Sequence, residues 1–213
     1  LLAAGTIAIG GIDAGGGVAS LIAVAGRIVD AGDTDQDLIA SAVRLSAGDA
    51  VGTLGVGVDA LDVTTTLISA EAGAGGISID NTGDLAVAGV AQTVNRVQTD
   101  ASTAVVVDAL LHDLIAADGG IALETSGQLT LTDGDADGEA VVAGGTSNVR
   151  LAAVGALTAE ADVTAAGSAT LSGAAVVLLA GVDVTATAGD VLATAFLSDV
   201  AMADDSRVVA AGT

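Results

Sequence analysis

The chain predicts an all-β fold built as a solenoid, and three observations predict it. The first is a repeated pattern. Gly76-Ile77-Ser78-Ile79-Asp80-Asn81-Thr82-Gly83-Asp84-Leu85-Ala86-Val87 and Gly120-Ile121-Ala122-Leu123-Glu124-Thr125-Ser126-Gly127-Gln128-Leu129-Thr130-Leu131 both place two alternating apolar runs around a polar corner that ends in glycine. A third copy, Val149-Arg150-Leu151 with Gly155, Leu157 and Ala159, lacks only the first glycine. Alternation of period two is the signature of a strand, because successive side chains point to opposite faces. Glycine at the corner allows backbone angles that other residues reach only with strain.

The second observation is a core made almost entirely of small aliphatic residues. Apolar residues are 52% of 213, yet the only aromatic is Phe196. A round core of this size uses large aromatics to fill its irregular interior, whereas a thin core tiled layer on layer needs none. The third is thirty glycines with no proline. Proline removes a ladder hydrogen bond wherever a strand has neighbours on both sides, and glycine without a period of three excludes collagen.

Taken in order, strand-like runs and corners alternate every six to ten residues, the spacing of an all-β chain. Runs fall at 6–9, 18–24 and 27–29, and an acidic loop at 30–37 separates them from 38–40 and 42–46. Val43-Arg44-Leu45 recurs as Val149-Arg150-Leu151 and reads as a further trace of repetition. A glycine-rich stretch, with Gly52, Gly55 and Gly57, precedes the run at 60–68. The first full repeat then starts at Gly76, and the second starts 44 residues later at Gly120, a distance of two turns or of one turn with an insertion. Residues 90–118 are the least regular. Runs at 94–98 and 104–107 are candidate strands, and Leu110, Leu111, Leu114 and Ile115 have helical spacing, so a short helical excursion near 108–117 is an alternative there. Such an excursion would be the partner-specific feature. From 147 onward the runs are most regular, at 147–153, 156–164, 168–171, 176–179, 182–187, 191–197 and 200–202. No linker or shift of composition divides the chain, so one domain spans 1–213, read as an internal fragment of a longer chain. At roughly 20 to 25 residues per turn the chain holds about nine coils. At about 4.8 Å per coil they form a rod roughly 40 to 45 Å long. Its cut ends expose strand edges suited to end-to-end or side-by-side self-association.

Charge narrows the function. Twenty-seven acidic residues, 23 of them aspartate, face five arginines and no lysine, for a net charge of −22. Clustered Lys and Arg are what phosphate recognition requires, so nucleic acid is not an expected partner. Hard divalent cations are the natural partners of such a surface. The longest interval without a charge, 163–182, is interrupted by glycine, serine and threonine, and its solidly apolar part is too short to span a membrane as a helix. The aromatic girdles of a membrane barrel are missing as well. The absence of cysteine excludes disulfides and thiolate metal sites.

Asp133, Asp135, Asp137 and Gly138 match the first half of a calcium loop, D-x-D-x-D-G, in which alternate carboxylates converge on one ion. Glu139 adds a fifth oxygen source but stands too early for the closing bidentate glutamate, and Gly144 holds the place where that residue belongs. Asp33, Asp35 and Asp37 share the spacing without the glycine. The competing reading of both is a solvated acidic corner. His112, the only histidine, stands beside Asp113, but no nucleophile motif accompanies the pair. Sugar-cleaving chemistry would require binding aromatics that the chain lacks. No enzyme is therefore expected.

The runs at 7–17, 76–87, 120–131 and 182–195 resemble the degenerate GxIxLxxxGxLxV repeats of very large bacterial surface proteins, the filamentous-haemagglutinin-like adhesins and related giant β-strand-repeat proteins. That resemblance implies a right-handed parallel β-helix and secretion to the surface of a Gram-negative bacterium. It implies a structural role as an adhesin shaft or as a matrix or filament component. The host-cell, matrix or polysaccharide ligand stays unspecified. High alanine content and the lack of asparagine-rich ladders depart from the better-known members. The alternative expectation is a calcium-stabilised extracellular binding module that uses the acidic loops and the 90–118 excursion.

Overall fold

The computed structural model describes residues 1–32, 35–55 and 60–212. Among them every regular element is a β-strand, and the chain winds as a solenoid of about eight turns. The short runs read from the sequence are these strands, since each inward-facing aliphatic is flanked by neighbours that face out. Two parallel sheets, of 14 and 11 strands, run the length of the stack, and a two-stranded antiparallel hairpin stands apart from them.

The turns stack in register, with like on like. Ile77 pairs with Ile121, which pairs with Val149. Ile79 continues through Leu123, Leu151 and Leu171. On the opposite sheet Leu85, Leu129, Leu157 and Val176 form one column. These side chains are almost wholly buried and merge into a single continuous core. Each fully buried Leu, Ile or Val contributes about 1.5–3 kcal/mol relative to exposure, so aliphatic columns suffice where aromatics are absent.

Each turn carries three strands, but the long strand changes sides halfway along. In the early turns one sheet holds unbroken six-residue strands, Val18–Ala23, Ala42–Ala47 and Leu67–Ala72. The other sheet is split there into short pieces such as Ile28–Asp30 and Leu38–Ile39. Gly76–Asn81 fuses the split pair: Ile77 stacks on Val51, while Ile79, Asp80 and Asn81 stack on Leu61, Asp62 and Val63. In the same turn Leu67–Ala72 forks. Its first residues carry Leu85–Val87, and its last carry Leu114–Ala116. The 44-residue interval from Gly76 to Gly120 is therefore one turn with an insertion, and the turns number eight rather than nine. Val43-Arg44-Leu45 and Val149-Arg150-Leu151 lie on different sheets, so their likeness reflects alternation and not equivalent places.

The insertion sits in the fork. Val90–Val97 and Thr103–Leu111 pair antiparallel around a turn in which Asp100 accepts the amide of Ser102 at 3.0 Å. No helix forms at 108–117. The helical spacing of Leu110, Leu111, Leu114 and Ile115 straddles a strand end, a corner with Asp113 at φ 61°, and the next strand, Leu114–Ala116. The preceding Val105-Val106-Val107 favours a strand through its β-branched side chains.

The hairpin folds back over the outer side of the unbroken strands of the early turns. Ser20, Arg44 and Ser69 form one outward column there and are buried beneath it. Arg44 Nε donates to the Ala109 carbonyl at 2.9 Å, which ties the hairpin to the solenoid.

Corner glycines serve stacking as much as conformation. At Gly83 φ is +101°, the left-handed region that glycine tolerates. At Gly127 the reason is space, because a Cβ would lie 2.5 Å from the Asp84 amide nitrogen one turn below. Beside these corners Asn81 is fully buried. It accepts from the Thr65 amide at 3.1 Å and donates to Gly83 O at 3.1 Å and Thr125 Oγ1 at 3.2 Å.

Leu123→Ala should destabilise the fold by about 2–5 kcal/mol, since neighbours on both rungs hold the cavity open. Asn81→Leu, which strands the buried Thr65 amide and removes two further bonds to Gly83 O and Thr125 Oγ1, should cost about 1–3 kcal/mol. Urea unfolding followed by circular dichroism measures both, and a loss below 0.5 kcal/mol at Leu123 would contradict the stacked core.

Candidate functional site

The outward face of the 11-stranded sheet carries the strongest concentration of functional groups. Register places Asp62, Asp80 and Glu124 directly above one another on successive turns. The column extends below Asp62 to Asp37, since Leu38 stacks on Val63 and Asp37 N donates to Asp62 O at 3.0 Å. Four carboxylates thus occupy consecutive rungs about 4.8 Å apart. Like charges placed directly opposite on neighbouring strands are destabilising. Arg150, one turn further on, relieves the upper end through its ion pair with Glu124. A cleft of about 290 Å³ follows the ladder, lined by Asp62, Asp80 and Glu124 together with Ser78. Asp80 titrates above the ordinary carboxylate range, chiefly because it is partly desolvated and then because Glu124 and Asp62 repel its charge.

The lower end differs from the rest. Asp37 is 1% exposed. Its Oδ2 accepts the Asp62 amide at 2.8 Å, while Oδ1 has no donor. Burial is the main cause that pushes its carboxyl up to about 7. The Asp62 amide opposes that rise, and the neighbouring Asp30 carboxylate, within hydrogen-bonding range, and Asp62 add to it.

The loop at 133–138 forms a second group. Asp133, Asp135 and Asp137 lie close enough for one oxygen of each to approach a common ion. Glu139 does not join them. It opens the strand Glu139–Ala143, and its Oε1 accepts from Thr164 Oγ1 at 3.1 Å on the next turn. The oxygens of Asp133 are engaged in holding the loop. Oδ1 accepts the amides of Asp135 at 3.0 Å and Ala136 at 2.5 Å, and Oδ2 accepts that of Gly138 at 2.8 Å. Some desolvation raises the Asp133 carboxyl, but these amides outweigh it and hold the group below the usual carboxylate range. The pattern D-x-D-x-D-G is thus a chain of aspartate-capped turns.

His112 clasps this loop to the root of the hairpin. Its Nδ1 lies 3.1 Å from Asp113 Oδ2 and its Nε2 3.2 Å from Asp135 Oδ2. Asp113 is buried, and its Oδ1 accepts the Gly134 amide at 2.9 Å. Burial raises the Asp113 carboxyl, opposed by that amide and by His112. The pair Asp113–His112 is therefore occupied as a structural tie.

Of the weaker predicted group, Asp33 lies outside the described residues. Asp35 is exposed and Asp37 is buried in the ladder, so the two are not presented alike. The ladder itself was not singled out in the sequence. Asp80 and Glu124 do occupy the same offset in the two aligned repeats, which is the signal that could have revealed it.

Comparison with family models, curated proteins and solved structures finds no match to the chain. No helix among the described residues is long and apolar enough to cross a membrane.

Two predictions follow from the ladder. Asp80→Asn removes the central charge and should stabilise the fold by about 0.2–1 kcal/mol in low salt, with the gain shrinking as salt screens the column. Denaturant melts of both proteins at two ionic strengths measure it. Asp37 binds its proton more tightly in the folded than in the unfolded chain. Its contribution to stability is therefore complete below about pH 4, falls as pH rises, and is gone above about pH 7. Denaturant melts in chelator-treated buffer should show this decline, and Asp37→Asn should flatten it.

Proposed function

We propose that this chain is a structural segment of an extended fibre, a shaft whose work is to hold other parts of a molecule apart and aligned. The observation that carries the reading is the unbroken in-register stack of about eight turns, with two sheets running end to end. Repeat architectures of this kind bury a continuous core through neighbour contacts alone, and their length grows by adding turns. At about 4.8 Å per turn the segment spans roughly 35 Å. Dense negative charge keeps long rods soluble and apart by self-repulsion. Surface display on a Gram-negative bacterium, in adhesion or in matrix assembly, is the setting that the repeat pattern favours.

One observation favours a binding role within that shaft. The hairpin leaves the stack and presents Val97, Val105 and Val107, each about two-thirds exposed, on its outer side. It is the feature that would distinguish this segment from plain spacer turns.

Negative-stain electron microscopy of the full-length protein, together with labelling of intact cells by an antibody to this segment, tests the reading. Rods and surface labelling are expected. Compact particles, or labelling only after the cells are broken, would overturn it.

A further inference from the structure

We infer that the lower end of the acid ladder is a binding site for one hard divalent cation of the calcium class, held by the carboxylates of Asp37 and Asp30. The site does not depend on the shaft reading, since a compact protein could hold the same ion and a rod could lack it.

The inference starts from an orphaned oxygen. Asp37 is almost fully buried, and its Oδ1 has no donor. A buried acceptor without a partner costs free energy, and a buried charge costs much more unless it is paired. Two donors nearby among the described residues are already committed. The Asp62 amide is taken by Asp37 Oδ2 at 2.8 Å, and the Thr64 hydroxyl donates to Gln36 Oε1 at 2.6 Å. Asp30, at the end of the strand Ile28–Asp30, brings its carboxylate against the same group, and one of its oxygens accepts the Gly32 amide at 2.9 Å. Two carboxylates are both acceptors, so a favourable contact between them requires positive charge in the gap.

A proton or a metal ion could supply that charge, and the surroundings favour the metal. The pair carries two negative charges when ionised. One proton cancels one of them and leaves the second charge on the half-buried Asp30. A divalent ion cancels both. Among the described residues the charged groups that face Asp37 are Asp30 and Asp62, both acidic, with Asp80 and Glu124 further up the column. The described arginines with ion pairs are held elsewhere, Arg27 by Asp49, Arg150 by Glu124 and Arg207 by Asp183, while Arg44 lies on the other sheet and bonds the hairpin through Nε. An all-oxygen site of two carboxylates, reached from a surface of net charge −22, matches a hard cation that completes its shell with water and backbone carbonyls.

The loop at 133–138 differs in the respect that matters. Its three aspartates are exposed, and Asp133 is satisfied by amides without an ion.

The test titrates CaCl2 into the chelator-treated protein by calorimetry and follows thermal unfolding by far-ultraviolet circular dichroism. Variants Asp30→Asn, Asp37→Asn and Asp133→Asn are compared. One equivalent of calcium should bind the wild type and raise the melting temperature by several degrees at millimolar ion. Asp30→Asn should weaken binding by at least about tenfold and remove most of that shift, because a ligand charge is lost. Asp133→Asn should keep both. Asp30 is only half-buried, so its variant carries the test if Asp37→Asn does not fold. Absence of binding heat and of a melting shift at 5 mM calcium, a concentration about as high as the weakest extracellular calcium modules require, would overturn the inference. So would binding that survives Asp30→Asn and is lost in Asp133→Asn.

Discussion

In-register parallel stacking is the constraint on which this molecule depends. Backbone amides in a turn bond to the turns on either side, so a residue's nearest neighbour along the stack is its counterpart one rung away. Inward, this multiplies a benefit: Ile79, Leu123, Leu151 and Leu171 each cover the next, and none needs a large ring to fill space. Outward, the same rule multiplies a cost. An aspartate at one rung is tolerable, but Asp62, Asp80 and Glu124 in succession repel one another because the backbone leaves them no freedom of register. Core and acid ladder are two results of one geometry.

The constraint also explains the hairpin's place. A turn can lengthen only where the stack does not require continuity, and the fork of Leu67–Ala72 into two columns is such a point. Chain inserted there leaves both columns in register. Its inner side lies over the unbroken face of the early turns, where Val106 is half-buried and Val94 stays 39% exposed. The burial of Arg44 follows. Its outward column would be open to solvent on a bare solenoid, and the guanidinium instead meets the Ala109 carbonyl of the hairpin.

Much of this was legible in the residues. Alternation marked nearly every strand after 147, and the paired copies at Gly76 and Gly120 are indeed adjacent rungs. Where the reading failed, the reasons were physical. Leu110, Leu111, Leu114 and Ile115 fit a helical stripe because spacing in sequence does not record a corner, and the left-handed Asp113 divides them between two strands. The fork and the change of the long face left no mark, since a six-residue strand and two three-residue strands use the same alternating aliphatics. Asp133, Asp135 and Asp137 do converge, but Glu139 is drawn to Thr164 by the strand that it begins. Asp37 reads in sequence as the third carboxylate of the weaker candidate metal group, beside Asp33 and Asp35. Its burial comes from stacking between Gly11 and Asp62, a relation between residues roughly 25 positions apart that no local pattern encodes.

The two ends of the ladder show how such a column can be tolerated. At the upper end the charge faces water and Arg150, and solvent screens what the arginine does not cancel. At the lower end neither remedy operates, because Asp37 is closed to water and its charged neighbours are acidic. Among the described residues no cation faces it, so its charge is costly unless a proton or a cation neutralises it. The choice between proton and metal ion then couples the fold to its medium: a proton ties the early turns to acidity, and a divalent ion ties them to its concentration. With only five arginines in 213 residues the chain has few internal counter-ions to spare for this end. The stability of a solenoid this acidic is thus a property of protein and surrounding solution together.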